Sequence, residues 1–196
     1  MSTDHYRTIA GPVEHRQKVE RSEFLGIALP ISGEEQFFEE LERIAKRDFD
    51  ATHHCWAFRL SDGRSRSADA GEPSGTAGKP ILSAIEGADF VDTGVVVVRW
   101  YGGVKLGTGG LGRAYRETAA TTLAQARVVD RYRYERICVA VPFDSLGTVY
   151  RLVDPPNVLL SGERFGDVGN EFDFDVRLSM AGAFRLMLQE KRILVV

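Results

Sequence analysis

Apolar positions fall along this chain in short runs, some alternating, some at helical spacing, with turn residues between them. "EFLGIALPI", Glu23 to Ile31, is apolar enough for a strand. Gly33 then opens "EEQFFEELERIAKR", where Phe37, Phe38, Leu41, Ile44 and Ala45 recur at helical spacing. Acids lead its first turn and bases close its last, as a helix dipole prefers. "THHCWAFRLSDG" reads as a strand ending in a turn. "TAGKPILSAIEG" reads as a short helix, with Lys79-Pro80 in its first turn and Gly87 as its stop. "VDTGVVVVRWYGG" carries four consecutive valines, the pattern of a strand buried on both faces. From Gly110 to Val128 helical spacing returns, with Leu111, Tyr115, Thr118, Thr122 and Ala126 along one side. The order to this point is β-α-β-α-β-α.

The pattern then changes. "VDRYRYER", Val129 to Arg136, is polar and aromatic and reads as a connector. "ICVAV" is strand-like, and "DSLGTVYRLV" is helical until Pro155-Pro156 ends it. "FDFDVRL" alternates, with Phe172, Phe174, Val176 and Leu178 inward and Asp173, Asp175 and Arg177 toward solvent. "AGAFRLMLQEK" is helical and "ILVV" closes as a strand. Together these segments suit the ferredoxin-like order β-α-β-β-α-β. The expectation is an α+β protein of two domains, residues 1–128 and 135–196, joined by a linker at 129–134.

Composition narrows the functional classes. With 196 residues, 43% hydrophobic and 27% charged, the chain suits one or two packed cores rather than disorder. A net charge of −3 excludes a molecule-wide attraction to nucleic acid or anionic membrane, so any phosphate binding must come from a local patch. Cys55 and Cys138 lie far apart, so no disulfide is expected and a reducing cytoplasm is the default. No apolar run approaches the roughly 20 residues that span a bilayer, and "MSTDHYRTIAGPVEH" lacks an apolar signal core. A soluble cytoplasmic protein without a membrane partner is expected.

The candidate chemistry lies in glycine. Eleven of the twenty glycines fall between Gly71 and Gly112, a crowding that needs a local reason because ordered glycine costs backbone entropy. In "SADAGEPSGTAGKPIL", Gly75 and Gly78 permit close approach, Ser74 and Thr76 add hydroxyls, and Lys79 adds charge where a helix begins. In "RWYGGVKLGTGGLGRAY", Gly107, Gly109 and Gly110 precede a helix carrying Arg113 and Arg116. Arg99, Lys105, Arg113 and Arg116 occur there with no acid among them. Backbone N–H groups in such turns, leading into helix N-termini, make a concave donor surface for anions. Tight turns and close helix–strand packing explain the same glycines equally well.

Other motifs fail on inspection. "GTGGLG" has the G-x-G-x-x-G spacing, but "YGGVKL" separates it from the preceding strand and no second strand ending in an acid follows at the required distance. "GKP" fails as a phosphate-binding P-loop, because Pro73 replaces the first glycine and Pro80 the magnesium-binding Ser or Thr. His53 and Cys55 share a strand face but lack a further ligand placed by the sequence, so hydrogen-bonded or core roles are favoured over metal. Glu72 beside Lys79 reads as a salt bridge or turn anchor before a general base. Neither a cofactor nor a catalytic residue is assigned.

"GEPSGTAGKPIL" followed by "VVVVRWYGGVKLGTGGLGRAY" resembles the paired signature of the IMPACT family, including its bacterial YigZ-type members. "ATHHCWAF" matches the family's preceding strand and "RSEFLG", less closely, its entry strand; the resemblance covers about Val19 to Ala126. Ala70 stands where the family usually has Asp, Glu23 where a base is common, and Gly112 where an aliphatic is usual. The resemblance implies an N-terminal domain like the second domain of ribosomal protein S-five, a left-handed β-α-β arrangement. It also implies a C-terminal domain like domain five of elongation factor G. The implied function is binding in translation or its regulation, through RNA, the ribosome or a protein partner of translational control, without sequence-specific DNA recognition. The positions matching the family for a binding site are Glu72, Ser74, Gly75, Thr76, Gly78, Lys79, Gly102, Gly103, Lys105, Gly107, Thr108, Gly109, Gly110 and Arg113, with Arg99 and Arg116 added for their charge. Two other functional classes stay open: an enzyme or sensor acting on a phosphorylated or nucleotide small molecule, and a protein-interaction adaptor.

Overall fold

The four-valine run forms the middle of a sheet with a separate hydrophobic core on each side. The computed structural model describes residues 4–166 and 169–196. In chain order its elements are β1 (His5–Ile9), β2 (Val13–Val19), β3 (Ser22–Pro30), α1 (Glu34–Arg47), β4 (His53–Arg59), β5 (Ser65–Ala68), α2 (Gly78–Gly87), β6 (Thr93–Trp100) and α3 (Gly107–Ala124). There follow β7 (Val128–Tyr132), β8 (Tyr134–Pro142), α4 (Leu146–Tyr150), β9 (Val158–Phe165), β10 (Gly169–Arg177), α5 (Leu178–Glu190) and β11 (Leu194–Val195). They divide into two compact units, one of Arg7–Asp130 and one in which Asp4 to Tyr6 join Arg131–Val196.

In the larger unit an antiparallel five-stranded sheet runs β2-β3-β6-β4-β5. Val95 and Val97 point into a core with Phe24, Cys55, Ala57, Ile81, Ile85, Tyr115 and Leu123, which α2 and α3 cover. Val96 and Val98 point the other way, against Leu25, Ile27, Phe58 and the α1 residues Phe37 and Ile44. Helix α3 buries Leu111, Ala114, Tyr115, Thr118, Ala119, Thr122 and Leu123, an unbroken i, i+3, i+4 stripe. It lies so close to β3 that a Cβ at Gly26 would fall 2.1 Å from Thr122 Oγ1. The helix begins at Gly107, three residues before the expected start at Gly110, so its first turn runs through glycines whose own helical propensity is poor.

The smaller unit has the ferredoxin-like order β-α-β-β-α-β in an antiparallel sheet β11-β8-β10-β9. Phe172, Phe174 and Val176 enter its core beside Phe184 and Leu188 of α5, as the alternation requires, but Leu178, expected inward with them, is exposed because the strand has ended and α5 begins there. Asp173, expected toward solvent, is 8% exposed because Arg164 grips both its oxygens, at 2.5 and 3.1 Å. Asp4 belongs here too: its carboxylate accepts from Arg177 Nε at 3.0 Å and Nη2 at 2.8 Å, and from Ser179 Oγ at 2.6 Å. Arg177 holds the Asp4 carboxyl well below the usual carboxylate range, against the opposing effect of burial.

The expected linker at 129–134 is not a loop. Residues 128–132 and 134–142 are strands, β7 pairs with β1, and the chain passes between units within those two strands. Val128, Val129, Tyr132 and Tyr134 are β-branched or aromatic and suit extended backbone, which the charged residues among them conceal. The short or edge strands β2, β5 and β9 also escape the hydrophobic pattern, because half or more of their residues are at least partly exposed.

Candidate functional site

The turn after β5 is organised by an acid. Asp69 ends up facing the start of α2, and its carboxylate accepts from the backbone N–H groups of Gly75 at 2.8 Å, Ala77 at 2.9 Å and Gly78 at 2.8 Å. Burial pushes the Asp69 carboxyl up, but these three donors and the nearby Lys79 charge outweigh it and hold the group below its ordinary value. Thr76 turns inward, its hydroxyl donating to the Pro73 carbonyl at 2.6 Å. Gly78 is required by proximity, since a Cβ there would sit 2.8 Å from the Ala68 backbone. The first glycine stretch is thus a nest already filled by the chain's own anion. This corrects the expectation that the amides of Gly75 and Gly78 face a ligand.

Behind that turn lies a buried polar cluster. Strands β4 and β6 pair with His53 opposite Arg99. Arg99 is 5% exposed at its side chain, with its guanidinium between the rings of Phe24 at 5.4 Å and Tyr101 at 5.3 Å. It donates from Nη1 to Glu72 Oε1 at 2.5 Å and from Nη2 to Ser22 Oγ at 3.1 Å. Tyr115, from α3, donates its hydroxyl to the same Glu72 Oε1 at 2.7 Å. Burial, reinforced by Cys55 and Glu72, pushes the Tyr115 phenol far up, so it remains a donor. Burial likewise pushes the Cys55 thiol up to about 12. His53 Nδ1 lies 3.0 Å from the Ala70 carbonyl and Nε2 lies 3.9 Å from Glu72 Oε1. Glu72 therefore pairs with Arg99 rather than with Lys79, and Arg99, expected among the ligand-facing bases, is neutralised inside the protein.

Above the cluster opens a groove of about 460 Å³, lined by residues that include His53, Glu72, Arg99, Tyr101, Lys105 and Thr108. Its far wall is the start of α3. That helix carries no side-chain cap at Leu106 and no acid in its first turn, and Gly107, Thr108 and Gly109 are exposed. Its leading N–H groups and dipole end favour an anion. Lys105, exposed beside them, adds charge.

The structure brings only some of the expected residues to this groove. Glu72, Arg99, Lys105, Gly107 and Thr108 line it, while Gly109, Gly110 and Arg113 continue the first turns of α3 behind them. Ser74, Gly75, Thr76, Gly78 and Lys79 belong to the Asp69 turn and do not line it. Arg116 lines a different hollow, between α2 and α3, with Ser83 and Phe90. Gly102 is a packing residue, because a Cβ there would meet the Arg21 carbonyl at 1.8 Å, and Gly103 is a left-handed turn at φ 84°. Sequence reasoning missed Tyr101 as a groove residue and Asp69 as the turn's organiser, and it favoured a hydrogen-bonded or core role for His53 without placing it on the groove. Among the described residues no group of three metal-ligating side chains comes together. A lone acid six to nine residues before the amides it binds leaves no sequence signal; a histidine directly across a strand pair from a buried arginine is visible only once the register is known.

Comparison with known proteins is consistent with this architecture. Residues 20–123 match the Impact N-terminal domain. IMPACT family member YvyE of Bacillus subtilis is 32% identical over 187 residues, covering 94% of this chain and 86% of that protein. An IMPACT family member of Thermus thermophilus, from the pol 5' region, is 41% identical over 135 residues, 69% of this chain and 73% of its own. The crystal structure of a hypothetical protein aligns over 99% of this chain and 97% of its own, with a TM-score of 0.75 at 23% identity, which shares the fold. With the domain match covering more than half its length and a relative aligned over nearly all of it, the chain belongs to the IMPACT family.

Proposed function

We propose that this protein is a binding module of translation or its regulation that contacts RNA, free or in the ribosome, through the groove at the start of α3. The observation that supports the reading most directly is the uncapped, acid-free N-terminus of an 18-residue helix opening beside Lys105. Such a helix end offers oriented N–H donors to a phosphate and needs no basic surface elsewhere, which suits a chain of net charge −3. The filled Asp69 nest removes the first glycine stretch from the contact surface, so the phosphate-binding role falls on Lys105, Gly107 to Gly110 and Arg113. The translational setting comes from the family resemblance.

Co-sedimentation with ribosomes and with single-stranded RNA, at 50 and 200 mM salt, tests this. Binding is expected to weaken steeply with salt, because it rests on phosphate neutralisation. Replacing Lys105 and Arg113 together by Glu is expected to abolish it, and unchanged sedimentation of that variant defeats the reading.

A second reading draws on the groove's size. Its 460 Å³ lies within the roughly 300–1,000 Å³ of small-ligand pockets, which favours a phosphorylated or nucleotide small molecule. A thermal-shift screen with nucleotides and sugar phosphates separates the two: a saturable shift without RNA binding supports the small molecule.

A further inference from the structure

Glu72 is the feature of the groove that phosphate binding leaves unexplained. Its Oε1 is saturated by Arg99 and Tyr115, with His53 Nε2 3.9 Å away. Its Oε2 has no hydrogen-bond partner among the described residues. Among the described residues the polar side-chain atoms sealed from solvent without a partner are Arg99 Nε, Arg133 Nε and Asn170 Oδ1, and Glu72 Oε2 is not one of them. The side chain is only 4% exposed yet lines the groove, so the unpartnered oxygen opens onto it. A carboxylate held there by a buried arginine accepts hydrogen bonds and repels phosphate. The groove thus offers donors at one end, from α3 and Lys105, and an acceptor at its floor. Tyr101, partly exposed, lines the same groove and offers a ring on which a base can stack.

A ligand that satisfies both the donors and the acceptor carries a phosphate and, on the neighbouring group, a hydroxyl donor. We propose that Glu72 reads a ribose 2′-hydroxyl, so that the groove selects RNA over DNA. This rests on the RNA-binding reading above and adds to it the group that discriminates. The 2′-hydroxyl donates to Glu72 Oε2 while the adjoining phosphate faces Lys105 and the first turn of α3. Deoxyribose leaves the carboxylate unanswered beneath a bound strand, and rejection of an analogue that lacks a hydrogen-bonding group is where protein sites discriminate most strongly.

The test measures the full chain against three 12-nucleotide single strands of one sequence at one salt concentration: RNA, DNA and 2′-O-methyl RNA. The methylated strand keeps a ribose-like sugar and loses only the donor. RNA is expected to bind about tenfold more tightly than either of the others, the difference that one hydrogen bond to a charged group sustains. Glu72→Gln sharpens the result. Because Arg99 and Tyr115 both donate to Oε1, the amide must place its oxygen there, which turns its NH₂, a donor, toward the groove. The preference for RNA is expected to vanish in that variant while its melting curve stays cooperative and RNA binding stays salt-dependent. Equal affinity of the wild-type protein for all three strands overturns the inference and leaves the RNA-binding reading standing. Absence of binding to any strand overturns both. The wild-type comparison requires no variant to fold.

Discussion

Glu72 Oε1 lies 2.5 Å from Arg99 Nη1, joining a loop to a strand 27 residues on, with both side chains at least 95% buried. Breaking such a pair from one side leaves an uncompensated buried charge, which costs about 3–5 kcal/mol, whereas an isosteric change that keeps the hydrogen bonds costs less. Glu72→Ala is therefore expected to destabilise the larger unit by about 3 kcal/mol, and Glu72→Gln by about half of that. Urea unfolding followed by tryptophan fluorescence of Trp56 and Trp100 checks both, and equal losses for the two variants would show that the charge is not what matters.

Asp69 makes the same turn sensitive to acid. Its carboxyl is held below its ordinary value in the folded protein, so its stabilisation is complete at neutral pH and is lost as pH falls through that lowered value. Asp69→Asn removes the charge and one of the two acceptor oxygens, at a cost of about 2 kcal/mol. Amide hydrogen exchange at Gly75, Ala77 and Gly78 is expected to accelerate in the variant at pH 7, and stability is expected to depend less on pH below 4 than in the parent.

Ala70 sits next to that acid in the left-handed region, at φ 45°. An L residue other than Asn, Asp or Gly is disfavoured there, by about 1 kcal/mol. The aspartate that the family resemblance places at this position thus has a conformational explanation and requires no chemical one. Ala70→Gly is expected to raise stability by about 0.5–1 kcal/mol, read as a higher melting temperature with groove binding unchanged.

Helix α3 reaches the groove because Gly26 lets it approach β3. Gly26→Ala would drive a methyl group onto Thr122 Oγ1 and also near the Thr118 carbonyl. A loss of about 2 kcal/mol is expected, with partial recovery when Thr122→Ala is added. Additive losses in the double variant would show that the two sites do not share the strain.

The two cysteines should respond differently to alkylation. Cys55 is fully buried and its thiol is pushed up to about 12, while Cys138 is only partly buried. Iodoacetamide at neutral pH is expected to modify Cys138 alone, and Cys55 only in denaturant, as peptide mapping would reveal.

How much of this the chain discloses depends on where each residue's partner lies. The helical stripe of α3, the valine run and the alternation of Phe172, Phe174 and Val176 were all legible, because each element's period reports its own burial. The glycine stretches announced themselves too, but not their separate uses. Gly78 serves the Ala68 backbone, Gly102 the Arg21 carbonyl, and Gly107 the opening of a helix. Composition cannot distinguish a turn that faces a ligand from one that folds onto an acid of its own. Arg99 illustrates the same limit, since a base counted toward a positive patch from the sequence proves to be cancelled by Glu72 once the fold brings the loop onto β6.

Because Val95 to Val98 are apolar on both sides, a shift of β6 by one position against its neighbours would exchange one set of valines for another at almost no hydrophobic cost. What forbids the slip must lie at the strand's ends. Gly94 leaves room for Phe37, whose ring would come within 2.4 Å of any Cβ there, and Arg99 must find Glu72 and Ser22. Displaced by one residue, the strand would bury its guanidinium in the aliphatic layer beneath α1. The polar cluster that floors the groove is therefore also the pin that fixes the alignment of the central strand, and sequence change at Arg99 is constrained twice over, by the site and by the sheet.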